Sequence, residues 1–210
     1  RRLVCEVVGA SKTGLDLVVA SAVDEAVPAV RTVLVQALAK GGHDEQAVDV
    51  CTQIGVGAVV PWASERAVVR WSGPRALKGR AKWQGVARAA AKQARRAFVP
   101  EVGEPLDTRG LLGWVGRLVE TGGAALVCHE EASAGIGSVL DGLRADSPGG
   151  RLPGRVAVVV GPEGGISPGE SEALAGAGAA LVGVGPTVLR SSAAGAVALA
   201  LVLAAAGQYR

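Results

Sequence analysis

The run Val156-Ala157-Val158-Val159-Val160-Gly161-Pro162-Glu163-Gly164-Gly165-Ile166-Ser167-Pro168-Gly169-Glu170 decides how the rest of the chain is read. Its five apolar, mostly β-branched residues predict a short buried strand. The Gly/Pro turn that follows lets neither a strand nor a helix continue. Ser167 is a good helix N-cap, Pro168 suits the first helical position, and Glu170 completes a capping box. A helix is therefore expected to about Ala177, stopped at Gly178. The pattern then repeats. Ala180–Val184 reads as a second strand and Gly185-Pro186-Thr187-Val188-Leu189-Arg190 as a second loop. Ser191 or Ser192 caps an apolar helix to about Ala206. Two strands that each feed a helix through a glycine loop predict a parallel α/β sheet. Their loops then share one edge, where open α/β folds bind ligands.

Upstream, the same rhythm continues. Val30–Leu38 reads as a strand, Asp44–Ile54 as a helix with Ala47, Val48, Val50, Cys51 and Ile54 inward, and Val56–Pro61 as another strand. Leu111–Thr121 is a helix candidate and Ala124–Cys128 a strand with His129-Glu130-Glu131 at its exit. Ala145–Gly154 reads as a flexible link. Residues 1 to 27 alternate differently. Leu3–Val8 and Leu15–Val19 flank a turn near Gly9–Gly14, which predicts a hairpin too small to stand alone. Asp24–Pro28 is the expected linker. The chain contains no Met and opens on Arg1-Arg2, so the hairpin is expected to be the remnant of a small, truncated β domain.

Between Arg66 and Pro100 stand ten Lys and Arg residues and no acid. A solvated helix face usually mixes signs, so an acid-free run points to a polyanionic partner. On a helix over Ala81–Ala97, Arg88, Lys92 and Arg95/Arg96 would share one face, with alanines behind them. Trp62, Trp71 and Trp83 are interleaved with these charges.

Overall composition is less informative. The chain has 210 residues, net charge +3 and 49% apolar residues, with aromatics at only 3%. That is enough for a real core. Cys5, Cys51 and Cys128 lack metal-ligand spacing and read as reduced thiols of a cytoplasmic protein. Ala193–Ala206 is apolar but shorter than the ~20 residues that span a bilayer.

The glycine turn lacks the Gly-Lys-Ser/Thr ending of a phosphate-binding loop, and no Gly-x-Gly-x-x-Gly follows a strand. What remains is Glu163, either a solvent-facing turn residue or an acid held at a strand's end. Arg190, at the mouth of an apolar helix, either snorkels or serves a site. His129 and Glu130 sit at a strand exit that would rim the same crevice, although a loop role accounts for His129 as well. His43 and His129 have no companion spacing for a metal.

Several segments together resemble one family. These are Lys40-Gly41 with Thr52-Gln53-Ile54-Gly55-Val56, Pro61-Trp62 with Arg66, and Ala90–Arg96 followed by Val99-Pro100. The two most specific are Val160–Glu170 and Val184–Ala194. The pattern is similar to that of the RsmE family of 16S ribosomal RNA uridine-N3 methyltransferases, in the SPOUT superfamily. The resemblance covers about Val30 to the C-terminus.

That resemblance implies a SPOUT-type α/β domain over 28–210, with a C-terminal trefoil knot at about 156–206. A PUA-like RNA-binding β domain would precede it, represented by 1–27. It implies S-adenosylmethionine held by Gly161, Pro162, Glu163, Gly164 and Gly165 on one side and by Val184, Gly185, Val188, Leu189 and Arg190 on the other. Glu163 and Arg190 are the expected catalytic residues, as base and as stabiliser of the uridine anion. Arg66, Arg88, Lys92, Arg95 and Arg96 are the expected RNA contacts. The partners implied are 16S rRNA in the small ribosomal subunit and a second copy of the chain, with no membrane. The competing reading is a non-catalytic RNA-binding or ribosome-assembly protein on the same fold; intact glycine loops favour the enzyme.

Overall fold

The computed structural model describes residues 1–209. A hairpin of β1 (Arg2–Ala10) and β2 (Leu15–Val23) comes first. Then follow β3 (Arg31–Ala37), α1 (His43–Ile54), β4 (Ala58–Ala63), α2 (Pro74–Gln93), β5 (Glu101–Val102), β6 (Leu106–Asp107) and α3 (Thr108–Glu120). The chain continues through β7 (Ala124–Cys128), α4 (Ile136–Ala145), β8 (Arg155–Val160), α5 (Pro168–Gly176), β9 (Ala180–Val182) and α6 (Ser191–Ala205).

The parallel sheet is present, in the order β5-β4-β3-β8-β7-β9, with β6 also paired to β4. Strand β8 lies between β3 and β7, which is why its residues are apolar without interruption: both of its faces are covered. Val156, Val158 and Val160 point into the layer formed with α1, α2, α4 and α6. Ala157 and Val159 point into the opposite layer, with α3 and α5. Gly195 lets α6 press onto the sheet: a Cβ there would stand 2.8 Å from Leu34 Cδ1.

The hairpin pairs as expected, and its Leu3, Val4, Val7, Leu17 and Val19 are all more than half exposed. Its tie to the sheet domain includes a hydrogen bond from Arg2 to the Arg95 carbonyl at 3.3 Å. Among the described residues, no helix is long and apolar enough to cross a membrane.

Three readings of the sequence need correction. Helix α2 runs over Pro74–Gln93, not Ala81–Ala97, because Pro74 opens it and the chain leaves it at Ala94. Helix α4 occupies residues for which the sequence predicts no element: its two Gly residues and short length mask the period. Neither serine caps α6. Arg190 occupies the N-cap position, and Ser191 and Ser192 are already helical and buried.

Candidate active site

Strands β8 and β9 both run parallel to β7, so their exits lie on one edge of the sheet. The two glycine loops meet there. Pro162, Glu163 and Gly165 face Val188, Leu189, Arg190 and Ser191 across a cleft of about 340 Å³, with His43 and Glu130 completing the wall. A second cleft of about 160 Å³ shares Glu130, Val188 and Leu189 with the first. Cys128, Val184, Gly185, Pro186 and Thr187 also line it. The two form one continuous crevice.

Glu163 and Arg190, expected to act together, line the same cleft. Of the expected cofactor residues, Val184 and Gly185 line the second cleft, and Gly161 and Gly164 line neither. Gly161 is needed behind the wall, since a Cβ there would lie 2.6 Å from Ile166 Cγ1. The Gly164 carbonyl accepts a hydrogen bond from Arg66 at 3.1 Å. Gly165 has φ 74°, a left-handed conformation that favours glycine.

The crevice suits a ligand with a flat heterocycle and a cationic centre. Among the described residues, no backbone group of Val184–Leu189 bonds to another backbone group, so the loop's N–H and C=O groups are free for a heterocycle's edge. Val188 and Leu189 supply apolar contact, and Glu130 and Glu163 supply negative charge for a sulfonium. Helices α1 and α6 both begin at this edge, and their positive ends favour a carboxylate. Among the described residues, no group of three or more His, Cys, Asp or Glu could hold a metal ion.

A clamp behind the glycine turn was not legible in the sequence. Glu170 completes the expected capping box with Ser167: its N–H donates to Ser167 Oγ at 3.1 Å, and its Oε2 accepts from the Ser167 N–H at 3.2 Å. It does more than cap. Its Oε1 accepts from the Glu65 N–H at 2.8 Å and from the Thr108 hydroxyl at 2.7 Å, while Ser167 Oγ donates to Glu65 Oε2 at 2.6 Å. Thr108 Oγ1 in turn accepts from Trp62 Nε1 at 3.3 Å. The loop after β4 is thereby fastened to α5, which sets Arg66 over the glycine turn. No spacing in the sequence announces contacts between residues this far apart.

The basic run divides into two groups. Arg70 bonds the Ser64 and Glu65 carbonyls, Arg80 bonds the Val102 carbonyl and pairs with Glu104, and Lys82 pairs with Glu45. Arg75, Lys78, Arg88 and Lys92 remain exposed on the side of α2 opposite the buried Trp83, Ala87, Ala90 and Ala91. The face expected to include Arg95 and Arg96 does not extend that far. Arg95 sits in the left-handed region at φ 53°, with its N–H on the Lys92 carbonyl at 3.1 Å and that of Arg96 on the Ala91 carbonyl at 2.8 Å. That pair of bonds is a Schellman closure with Arg in glycine's place. Arg96 turns inward, donating to the Thr52 carbonyl at 2.8 Å, and burial pushes its guanidinium pKa down. Trp62 and Trp83 are buried, and Trp71 packs edge-on against Trp83 with ring centroids 5.1 Å apart.

Comparison with known proteins agrees with this geometry. A family model for an RNA methyltransferase domain matches residues 26–203. Ribosomal RNA small subunit methyltransferase E of Mycobacterium bovis is 44% identical over 84% of this chain, which spans 64% of that relative's length. A Legionella pneumophila protein solved with its bound cofactor SAM superposes with a TM-score of 0.76 at 25% identity, over 96% of this chain and 77% of that one. The Neisseria gonorrhoeae ribosomal RNA small subunit methyltransferase E, solved with S-adenosyl methionine, shares the fold at a TM-score of 0.78 and 22% identity, over 95% and 77% of the two chains. With the family model covering the whole sheet and both glycine loops, the chain belongs to the RNA methyltransferase domain family.

Proposed function

We propose that this chain is an S-adenosylmethionine-dependent methyltransferase acting on N3 of a uridine in 16S ribosomal RNA of the small subunit. The observation that carries the reading is the meeting of Pro162–Gly165 and Val184–Arg190 in one crevice, with Glu163 and Arg190 both lining it. The cofactor supplies an activated methyl group on sulfur. The protein's part is positioning and charge. The free backbone of Val184–Leu189 takes the adenine edge, and Pro162–Gly165 walls the methyl side. Uridine N3 is a poor nucleophile while it holds its proton, so a group must take that proton and another must stabilise the negative charge that develops. Glu163 is the proposed base and Arg190 the proposed stabiliser. Arg88 and Lys92 on the free face of α2 are the proposed phosphate contacts.

The rest of the reading follows the same family. Residues 1–27 belong to a PUA-like RNA-binding β domain and 28–210 to the SPOUT domain. The insertion of β8 between β3 and β7 supports a trefoil knot over about 156–206. Val197, Ala200, Leu201 and Ala204 form a partly bare apolar stripe on α6, which supports a homodimer packed through that helix. The proposed setting is cytoplasmic.

Calorimetric titration with S-adenosylmethionine, with ATP and NAD as controls, tests the reading. Selective binding at micromolar concentrations is expected. Retained RNA binding without cofactor binding would replace the enzyme with a ribosome-assembly scaffold.

A further inference from the structure

A methyl acceptor must reach the donor through a cleft that opens onto it. One such cleft, of about 440 Å³, shares Glu130 and Gly165 with the proposed cofactor crevice. Its floor is apolar, with Ile166 and Leu181. Arg66 stands on one wall, held in place by the Gly164 carbonyl and the Glu170 clamp. Ser171, 7% exposed, also lines it, and its Oγ has no hydrogen-bond partner among the described residues.

The charges narrow what the occupant is. Glu130, Glu131 and Glu172 set three carboxylates against Arg66, with His129 beside them. A phosphate is repelled by that balance. A neutral ring that offers an N–H between two carbonyl oxygens is not.

Resting on the methyltransferase reading above, we propose that this cleft is the subsite for the flipped target uracil. Arg66 and Ser171 donate to the carbonyl oxygens that flank N3, which leaves N3–H directed at the cofactor crevice and its proposed base, Glu163. The ring packs on Ile166 and Leu181, and its phosphates stay outside. Glu130 and Gly165 line both clefts, so the ring edge between the two bound oxygens is the edge presented to the methyl group. Cytosine is rejected because its 4-amino group would set a donor against the donors Arg66 and Ser171. Extrusion of the base is the general solution for an enzyme that acts on a ring atom in structured RNA.

The test uses the full chain and a 16S rRNA transcript carrying 4-thiouridine in place of uridine, with S-adenosylhomocysteine present. Irradiation is expected to cross-link His129–Glu131 or the Ile166–Glu172 segment, located by mass spectrometry of the peptides. Arg66→Ala and Ser171→Ala should each raise the KM for RNA about tenfold. S-adenosylmethionine affinity and the salt dependence of RNA binding should stay unchanged, because a base contact neutralises no phosphate. No cross-link to either segment, or an unchanged KM in both variants, overturns the subsite. Failure of the methyltransferase reading shows separately, as absent cofactor binding in the calorimeter.

Discussion

The Oε1 atom of Glu170 accepts the backbone N–H of Glu65 at 2.8 Å, joining segments 105 residues apart in sequence. Glu170 is 1% exposed, and the same oxygen also takes the Thr108 hydroxyl. Removing it strands several donors at once. Glu170→Ala should cost about 3 kcal/mol, since a buried hydrogen bond to a charged group contributes about 1.5–3 kcal/mol and its orphaned partners add their own penalty. In a chain of this size that is a fall in Tm of roughly 10 °C. Thr108→Val, which keeps the shape but removes the donor to Glu170 and the acceptor of Trp62 Nε1, should cost about 1–2 kcal/mol. Calorimetric melting of both variants decides it: equal, small shifts would mean that the clamp is only a cap.

Arg95 occupies a backbone conformation that costs a non-glycine residue about 1–2 kcal/mol. Arg95→Gly should therefore raise stability by about 1 kcal/mol, once glycine's greater freedom in the unfolded chain is subtracted. Arg96→Ala should instead destabilise by about 1–2 kcal/mol, through loss of its bond to the Thr52 carbonyl. Opposite Tm shifts from adjacent arginines are the expected signature in a thermal melt.

These two pairs show what was legible in the sequence and what was not. Strand β8, the capping box at Ser167 and Glu170, and the meeting of the two glycine loops follow from local period and turn chemistry. So does the pairing of the hairpin strands. The Glu65–Glu170–Thr108 clamp depends on which loops the sheet order brings together, and no local pattern encodes that. Arg96 misled because a helical wheel presumes that the helix continues. The chain instead turns at Arg95, a residue type that rarely adopts a positive φ.

On the free face of α2, Arg88→Gln with Lys92→Gln should lower the slope of log K for RNA against log salt by up to about 2, one for each phosphate no longer neutralised. Arg96→Gln, whose guanidinium is engaged inside the protein, should leave the slope unchanged. Fluorescence anisotropy between 50 and 200 mM salt, ~fourfold in ionic strength, is enough to resolve it. A slope unmoved by the double variant would take RNA off this face.

For the proposed chemistry, Glu163→Gln should lower turnover by about 10²–10⁴-fold at saturating S-adenosylmethionine, a loss larger than the fall in cofactor affinity from removing one charge near the sulfonium. Arg190→Ala should lower kcat by a comparable factor if it stabilises developing charge. Near-normal turnover in Glu163→Gln, with the cofactor still bound, would end its assignment as the base. The proton acceptor would then have to be another group lining the crevice, and Glu130→Gln is the next variant to assay.

Cys51 and Cys128 give a pH signature that also reports on the crevice. Cys51 is buried, and Cys128 lines the cleft beside Val184–Leu189. Burial pushes both thiols up to about 12, with proximity to Cys128 adding to the effect at Cys51. Cys128 keeps some exposure as a residue while its sulfur is desolvated. In the unfolded chain both thiols titrate near pH ~8.5, so above that pH the folded state holds protons that the unfolded state has released. Their contribution to stability is complete below about pH 8.5 and falls as the pH rises toward 12. The urea midpoint of the wild-type chain should therefore drop more steeply between pH 8 and 10.5 than that of a Cys51→Ala, Cys128→Ala variant, by an amount equivalent to about 2 kcal/mol per thiol. At pH 8 only roughly one part in 10⁴ of either native thiol is ionised. Iodoacetamide should accordingly label Cys5 on the hairpin first. Any labelling of Cys128 measures opening of the loop above it, and S-adenosylmethionine should suppress that labelling if the crevice is its site.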